Sequence, residues 1–357
     1  MTMLAGPQLV LMDVSRFGSL SRRVKVLLSW STCVAATLSL VVIGIQASGD
    51  DLSLVAVSSF GVILAAPALI VPEFLASSIQ GRGLFARLAV LRVAQVVLPG
   101  GLMLAGIPLG GLPGALSGFT LGAAVIGVIC HEIWWRQPGV RDANVETVRI
   151  PWGYALVTNL TLVLLFLSYR ADVFVLNAVS SPHEVGVYSA AVALAELVLV
   201  ASMSAAVVRA PVYSRDHMAP LGRDAWLVTG LSCAVAGALA VASSIVVPLI
   251  FGEEYLGSVE VVWALLPGIC VLSAYRFISN AEIVRGHKFG VLLSCIIALV
   301  VDVGLLWRIG QEHGALGAAW AASASYVAGC LFLIMFRLVR ARRDKSIVTA
   351  LSETVDV

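Results

Sequence analysis

Along this chain the polar positions fall in short clusters, and the apolar runs between them are roughly 20 residues long. That is the length a helix needs to cross the hydrocarbon of a bilayer. The alternation predicts ten spans, at about 26–47, 51–72, 86–108, 112–135, 153–177, 184–208, 226–251, 257–280, 290–309 and 315–337. The connections ASGDD, PLGGLP, SSPHE, FGEEYLG and GQEHG are short and rich in turn formers, and no soluble domain fits between any two spans. The pattern predicts an all-α polytopic membrane protein, with a helical bundle over 1–150, a second over 151–345 and a polar tail over 346–357. The opening MTMLAGPQLVLMDVSR has no basic stretch ahead of an apolar run that is itself too short to span. It reads as the tail of a helix whose beginning is absent rather than as a signal peptide.

Composition agrees with this class. Of 357 residues, 59% are hydrophobic and 12% charged, and the mean hydropathy is +0.97. A soluble domain carries about twice that share of charge. The net charge of +2 says less than its placement. Arg16, Arg22, Arg23 and Lys25 precede the first span; Arg82, Arg87 and Arg92 surround the second connection; Arg136, Arg141 and Arg149 lie in the fourth. Arg209, Arg215 and Arg223 occupy the sixth connection, Arg276, Arg285 and Lys288 surround the eighth, and Arg337, Arg340, Arg342, Arg343 and Lys345 follow the last span. Every Lys and Arg except Arg170 and Arg308 therefore falls on one alternating side. The positive-inside rule makes that side cytoplasmic, with both termini inside.

Arg170 and Asp172, in LSYRADVFVL, lie inside the fifth span. At about 1.5 Å rise per residue, Arg170 is roughly 10 Å into the hydrocarbon. A charge near the middle of a span costs on the order of 2.5–3.5 kcal/mol. Residues at i and i+2 point to opposite sides of a helix, so each of the two needs a partner on another helix, or water. Glu196 in the sixth span and Asp302 in the ninth are the candidates at similar depth. Two readings follow: a fixed ion pair or outward-snorkelling arginine, or a polar cavity and translocation path lined by Arg170, Asp172, Glu196 and Asp302.

Other features carry less. GALGAAWAASAS (314–325) is a helix of small residues suited to close packing or to a gating interface. Pro99, Gly100 and Gly101 interrupt the third span, and Pro267 and Gly268 the eighth; such interruptions line some transporter sites and are harmless elsewhere. Trp134 and Trp135 stand where an interfacial aromatic belt would place them, and His131 and Glu132 read as solvated. The cysteines Cys33, Cys130, Cys233, Cys270, Cys295 and Cys330 lie in apolar runs without CxxC or Cys/His spacing, so neither a metal site nor a disulfide framework is expected. No stretch interleaves basic and aromatic residues, and no nucleic-acid partner is expected. No cofactor motif, GxSxG, HExxH or Walker loop is present, so the chain does not read as an enzyme. A membrane-embedded glycosyltransferase or ligase stays open as a class, because such enzymes hide single carboxylates, although they usually carry a large extracellular loop and this pattern has none.

From the fifth span onward the sequence resembles the Wzx-type polysaccharide flippases of the multidrug/oligosaccharidyl-lipid/polysaccharide exporter superfamily. The residues that carry the resemblance are YRADVFVLNAVSSPHEVGVYSAAVALAE (169–196), PLIFGEEYLGS (248–258), LLPGICVLSA (265–274) and WRIGQEHGALGAAWAASASY (307–326). The resemblance implies two six-helix bundles facing a central cavity in a bacterial cytoplasmic (inner) membrane, alternating between inward- and outward-open. It implies an undecaprenyl-type lipid-linked oligosaccharide as substrate, in exopolysaccharide or O-antigen-like assembly, with membrane lipids and polysaccharide polymerase or assembly proteins as partners. By position, Arg170 and Asp172 match that family's RxD and would face the cavity, Arg170 toward a pyrophosphate or acidic sugar. Glu184, Gly186 and Tyr188 match its outer turn, and Gly314, Gly317, Ala318 and Ala319 its small-residue helix.

The chain departs from that pattern in supplying four helices to the first bundle and six to the second. The first two of the family's twelve would precede residue 1, so either the true start lies upstream or this is a shortened paralogue, and LVLMDVSRFG (9–18) fits the end of the second. Asp302 stands where the family often has Asn. The alternatives to a flippase are a cation-coupled small-molecule exporter of the same superfamily, and a truncated, non-transporting partner of a glycan-assembly complex. The exporter is expected to carry carboxylates in its first bundle, whereas Asp172, Glu196 and Asp302 all lie in the second.

Overall fold

The computed structural model describes residues 10–11, 14, 20–21, 71–136, 140–141, 157, 160–161, 163–165, 167–168, 170–216 and 219–355. The expected spans at 26–47 and 51–70, and the basic residues Arg16, Arg22, Arg23, Lys25 and Arg149, lie outside them. The chain divides into two compact units, Met1–Asn159 and Leu160–Val357. Among the described residues everything regular is helical except one parallel pairing of Leu20–Ser21 with Val140–Arg141.

In the first unit, the helix expected to finish near residue 72 continues through 81. It ends in a Schellman turn, in which Gly83 N–H donates to Gln80 O (2.9 Å) and Leu84 N–H to Ile79 O (3.1 Å), with Gly83 at φ 75°. Helix α1 (Phe85–Gly111) follows and reverses into α2 (Pro113–Trp134) through Gly111, whose φ of 57° favours glycine.

The two helices then approach backbone to backbone. A Cβ at Gly118 would overlap the Leu102 carbonyl, one at Gly114 the Gly106 carbonyl, and one at Gly122 would lie 2.5 Å from Pro99 Cα. Those three glycines form a GxxxGxxxG stripe, the spacing that places small residues on one helix face. Pro99, Gly100 and Gly101 do not interrupt α1; the helix runs through them, and Pro99 is where Gly122 packs. Trp134 is also not at an interfacial belt. It is buried with Phe74 and Cys130, ring centroids 6.2 Å apart from Phe74, in a cluster that Val10 and Val14 complete. Val10, Leu11 and Val14 are helical, as a helix end at 9–18 requires.

The second unit contains α3 (Ala171–Val179), α4 (Pro182–Ala195), α5 (Leu199–Arg215), α6 (Leu221–Phe251), α7 (Ser258–Val284) and α8 (Lys288–Val355). A 3-10 turn at Glu196–Val198 joins α4 to α5, and the whole stretch Pro182–Arg215 is long and apolar enough to span. Helix α8 is two antiparallel arms joined at Gly314 (φ 51°, ψ −129°), which correspond to the last two expected spans. The arms are close: a Cβ at Gly317 would lie 2.6 Å from Ile309 O, and one at Gly290 2.5 Å from Phe336.

Helix α7 is the centre of this unit, with α4, α5, α6 and α8 packed on it. Polar side chains tie it to its neighbours where no water competes. Ser258 Oγ donates to Val187 O (2.9 Å), Ser273 and Ser232 share a hydroxyl hydrogen bond (2.5 Å), and Trp263 Nε1 donates to Ala240 O (3.0 Å). Toward α8, Tyr275 bonds Ser294 (2.9 Å) and Ser323 Oγ donates to Ala264 O (3.1 Å). At that last crossing Gly268 has no room for a side chain, since a Cβ would lie 2.6 Å from Ser323 Cα. Pro267 and Gly268 therefore serve a helix crossing inside an unbroken α7, not a break.

Two outcomes test this packing. Gly118→Leu should destabilise the detergent-solubilised protein by about 2 kcal/mol or more, and Gly268→Val should act similarly. Gly101→Ala, with nothing within 4 Å of the added methyl, should be neutral or stabilising by up to about 1 kcal/mol. Thermal unfolding midpoints measure all three, and equal midpoints for Gly118→Leu and Gly101→Ala would refute the close-approach account.

Candidate functional site

The fifth span does not run unbroken through LSYRADVFVL. Ser168 Oγ donates back to Leu164 O (2.6 Å), a bond that competes with the regular helix ladder. Arg170 N–H bonds Leu167 O (3.1 Å), the three-residue spacing of a turn, and α3 begins at Ala171. Arg170 is thus the N-cap of α3, with φ −127° and ψ −9°, and not a residue in mid-helix.

This break lets Asp172 act at a helix start. Its Oδ1 accepts from Val173 N–H (2.7 Å), satisfying one of the first-turn donors that a helix leaves open. Its Oδ2 accepts from the buried Tyr188 hydroxyl of α4 (2.5 Å). Asp172 is 1% exposed.

Arg170 and Glu196 pair, as one of the two candidate pairings had it. Nη2 lies 3.3 Å from Oε1 and 3.4 Å from Oε2, with the side chains 42% and 34% exposed. The pair is loose and open to one surface of the unit. Glu196 stands at the first residue of the 3-10 turn, a local change of pitch within a spanning helix.

Asp302, the other candidate, does not meet Arg170. It is 1% exposed on the first arm of α8, and neither carboxylate oxygen has a hydrogen-bond partner among the described residues. Asp172 is the charged group within Coulombic reach of it. Asp172 is in turn within reach of both Arg170 and Glu196. All four residues singled out from the sequence are therefore gathered in one neighbourhood of the second unit, in two tiers. Arg170 and Glu196 form an open pair, and Asp172 and Asp302 are two buried carboxylates within Coulombic reach of each other and of Tyr188.

The outer-turn motifs are joined to one another. Ser181 caps α4 and accepts from Glu184 N–H (3.4 Å), with Pro182 at the first helical position. The Glu184 carboxylate does not close back on that cap. It reaches the start of the second arm of α8 and accepts from Ala315 N–H (2.7 Å). A Cβ at Gly314 would overlap this carboxylate, so glycine is required there by space as well as by its φ. Gly317, Ala318 and Ala319 are buried along the same arm. No group of three or more metal-ligating side chains occurs among the described residues.

Tyr188 was legible only as part of an outer-turn motif; its role against Asp172 depends on α3 and α4 packing side by side. Tyr326 had no signal apart from its place in the small-residue helix. The glycine stripe of α2 was legible as three glycines at four-residue spacing.

No family model and no curated protein matches the chain. Solved structures do. A MATE transporter in the straight conformation superposes with a TM-score of 0.75, covering 96% of this chain and 85% of that one at 17% identity. An outward-facing multidrug resistance MATE family transporter of the MOP superfamily gives 0.66, covering 96% and 85% at 16% identity. The Vibrio cholerae MATE transporter VcmN in the bent form gives 0.68, covering 97% and 86% at 15% identity. The chain is thus a multi-pass, all-helical membrane protein with the fold of the MATE transporters.

Proposed function

We propose that this chain is a membrane transporter that exports small molecules by alternating access, and that it couples export to a monovalent cation held at Asp172 and Asp302. The observation that carries the reading is the closed acidic pair. A carboxylate sealed from water with no donor facing it has two stable states: it carries a proton, or it holds a cation. Either event changes the charge beside Asp172, which also caps α3, and α3 begins at Arg170. Loading the pair therefore acts on the Arg170–Glu196 pair and on the 3-10 turn at Glu196. This is the differential interaction a ligand needs in order to shift a conformational equilibrium.

The objection that an exporter would need carboxylates in its first bundle loses its force, because the second unit by itself supplies a buried pair. The multidrug character of one structural neighbour supports small-molecule export. The lipid-linked oligosaccharide implied by the sequence resemblance, with its polymerase partners, has no counterpart among these neighbours. It retains one specific support, the half-exposed Arg170, whose planar guanidinium suits a pyrophosphate. The setting in both cases is a bacterial cytoplasmic membrane, with the basic connections on the cytoplasmic side.

Proteoliposomes loaded with a fluorescent cationic dye provide the test. Dye release should follow an imposed proton or sodium gradient, and the gradient that drives it identifies the cation. Asp302→Asn should abolish gradient-driven release while folded protein is retained, and Asp172→Asn should reduce it at least tenfold, on the order of a lost charge-assisted contact. Unimpaired coupling in both variants would overturn the cation site. In the same vesicles Arg170→Gln should leave the cation dependence unchanged. Movement of a lipid-linked oligosaccharide across the vesicle bilayer, with no dye transport, would reverse the choice of substrate.

A further inference from the structure

At the end of the second unit where α7 meets α8, one buried carboxylate is ringed by basic groups. Glu282, in the last turn of α7, is 4% exposed. Arg337 Nε lies 3.0 Å from its Oε1, Arg340 Nη1 3.6 Å from Oε2, His287 Nδ1 3.3 Å from Oε2 and Arg285 Nη1 3.9 Å from Oε1. A second Schellman turn builds this arrangement. Gly286 (φ 92°) donates to Ile283 O and His287 N–H to Glu282 O, and His287 then meets Arg340 on the second arm of α8. Arg337 and Arg340 share a face of that arm at i and i+3 spacing.

Arg285 is the most enclosed of the three arginines, its side chain 7% exposed. It lies over the Tyr213 ring, 4.9 Å from the centroid, and its Nη2 donates to Ala219 O (2.8 Å). Its buried Nε has no hydrogen-bond partner among the described residues. Arg340 Nη2 stands 2.7 Å from His287 Nε2. Three guanidinium forks thus face Glu282, with Asp216 also in Coulombic reach of Arg285. Three arginines against Glu282 and Asp216 leave the described groups of the cluster with a positive sum of charge. Arg337 and Arg340 are about one-third exposed, so the cluster is open on the α8 side. It lies at the ends of membrane-spanning helices, the level of lipid headgroups.

We propose that this cluster is a binding site for the phosphate of an anionic phospholipid headgroup. Arg337 and Arg340 contact the phosphate oxygens, Arg285 supplies positive charge from beneath, and Glu282 is a positioning residue that holds the forks in place. Basic pockets between helices at the headgroup level bind anionic lipids on this principle. The proposal rests on the membrane-spanning fold and is independent of what the protein transports.

Native mass spectrometry and thermal unfolding of the full chain in detergent test it, with phosphatidylglycerol, phosphatidylcholine and inorganic phosphate as separate probes. Phosphatidylglycerol should be retained and should raise the unfolding midpoint, while the other two should do neither. Arg337→Gln and Arg340→Gln should each weaken retention about fivefold, and the exposed Arg342→Gln should not. Should Arg337→Gln fail to fold, Arg340→Gln and the charge-keeping Arg340→Lys carry the test, with Lys retaining binding better than Gln. Equal retention of both lipids, a shift produced by inorganic phosphate alone, or retention unchanged in Arg340→Gln would each overturn the lipid site.

Discussion

Inside the hydrocarbon there is no water to satisfy a polar group, so each hydroxyl, indole and carboxylate must find its partner within the protein. The second unit is arranged around that requirement. Ser258 of α7 bonds α4, Ser273 and Trp263 bond α6, Tyr275 bonds α8, and Ser323 of α8 bonds back to α7. The helix that carries most of these bonds is the one every longer helix of the unit packs against. Glu184 extends the logic to a helix end, since the first N–H of an arm of α8 is satisfied by a carboxylate from α4.

Against that background Asp302 stands out. Among the described residues both of its oxygens are without a donor. Asp172, equally buried, is held on both oxygens by Val173 N–H and Tyr188. One of the two carboxylates is therefore held on both oxygens and the other on neither, among the described residues. The looser Arg170–Glu196 pair lies at a helix start and a 3-10 turn.

Both units also use the same small devices. Each places a Schellman turn with a positive-φ glycine, at Gly83 or Gly286, ahead of a helical hairpin closed at another such glycine, Gly111 or Gly314. In each hairpin the arms approach so closely that side chains are excluded at particular glycines. The consequence is a pair of tightly reversed helices without an extended loop, which explains why apolar runs separated by as few as five polar residues still form separate spans.

How much of this was legible in the amino-acid sequence divides along physical lines. Bilayer thickness imposes its length on every span, so hydropathy located α1, α2 and α6 to α8 to within a few residues, and both arms of α8. The cost of a charge in hydrocarbon singled out Arg170, Asp172, Glu196 and Asp302, and the fold gathers those four together. Partnership was beyond the sequence, because the pairing of Arg170 with Glu196 and of Asp172 with Tyr188 depends on helices separated along the chain. Local meaning was equally out of reach: Pro99 and Gly268 look like helix breakers until the helix crossing them is in view, and Trp134 looks interfacial until Phe74 covers it. Sequence alone determined which segments cross the membrane and which charges needed an explanation, since both follow from transfer energies of individual residues. Only the tertiary structure decided which of those charges are satisfied and which is left open, since that depends on the few ångströms separating side chains on different helices.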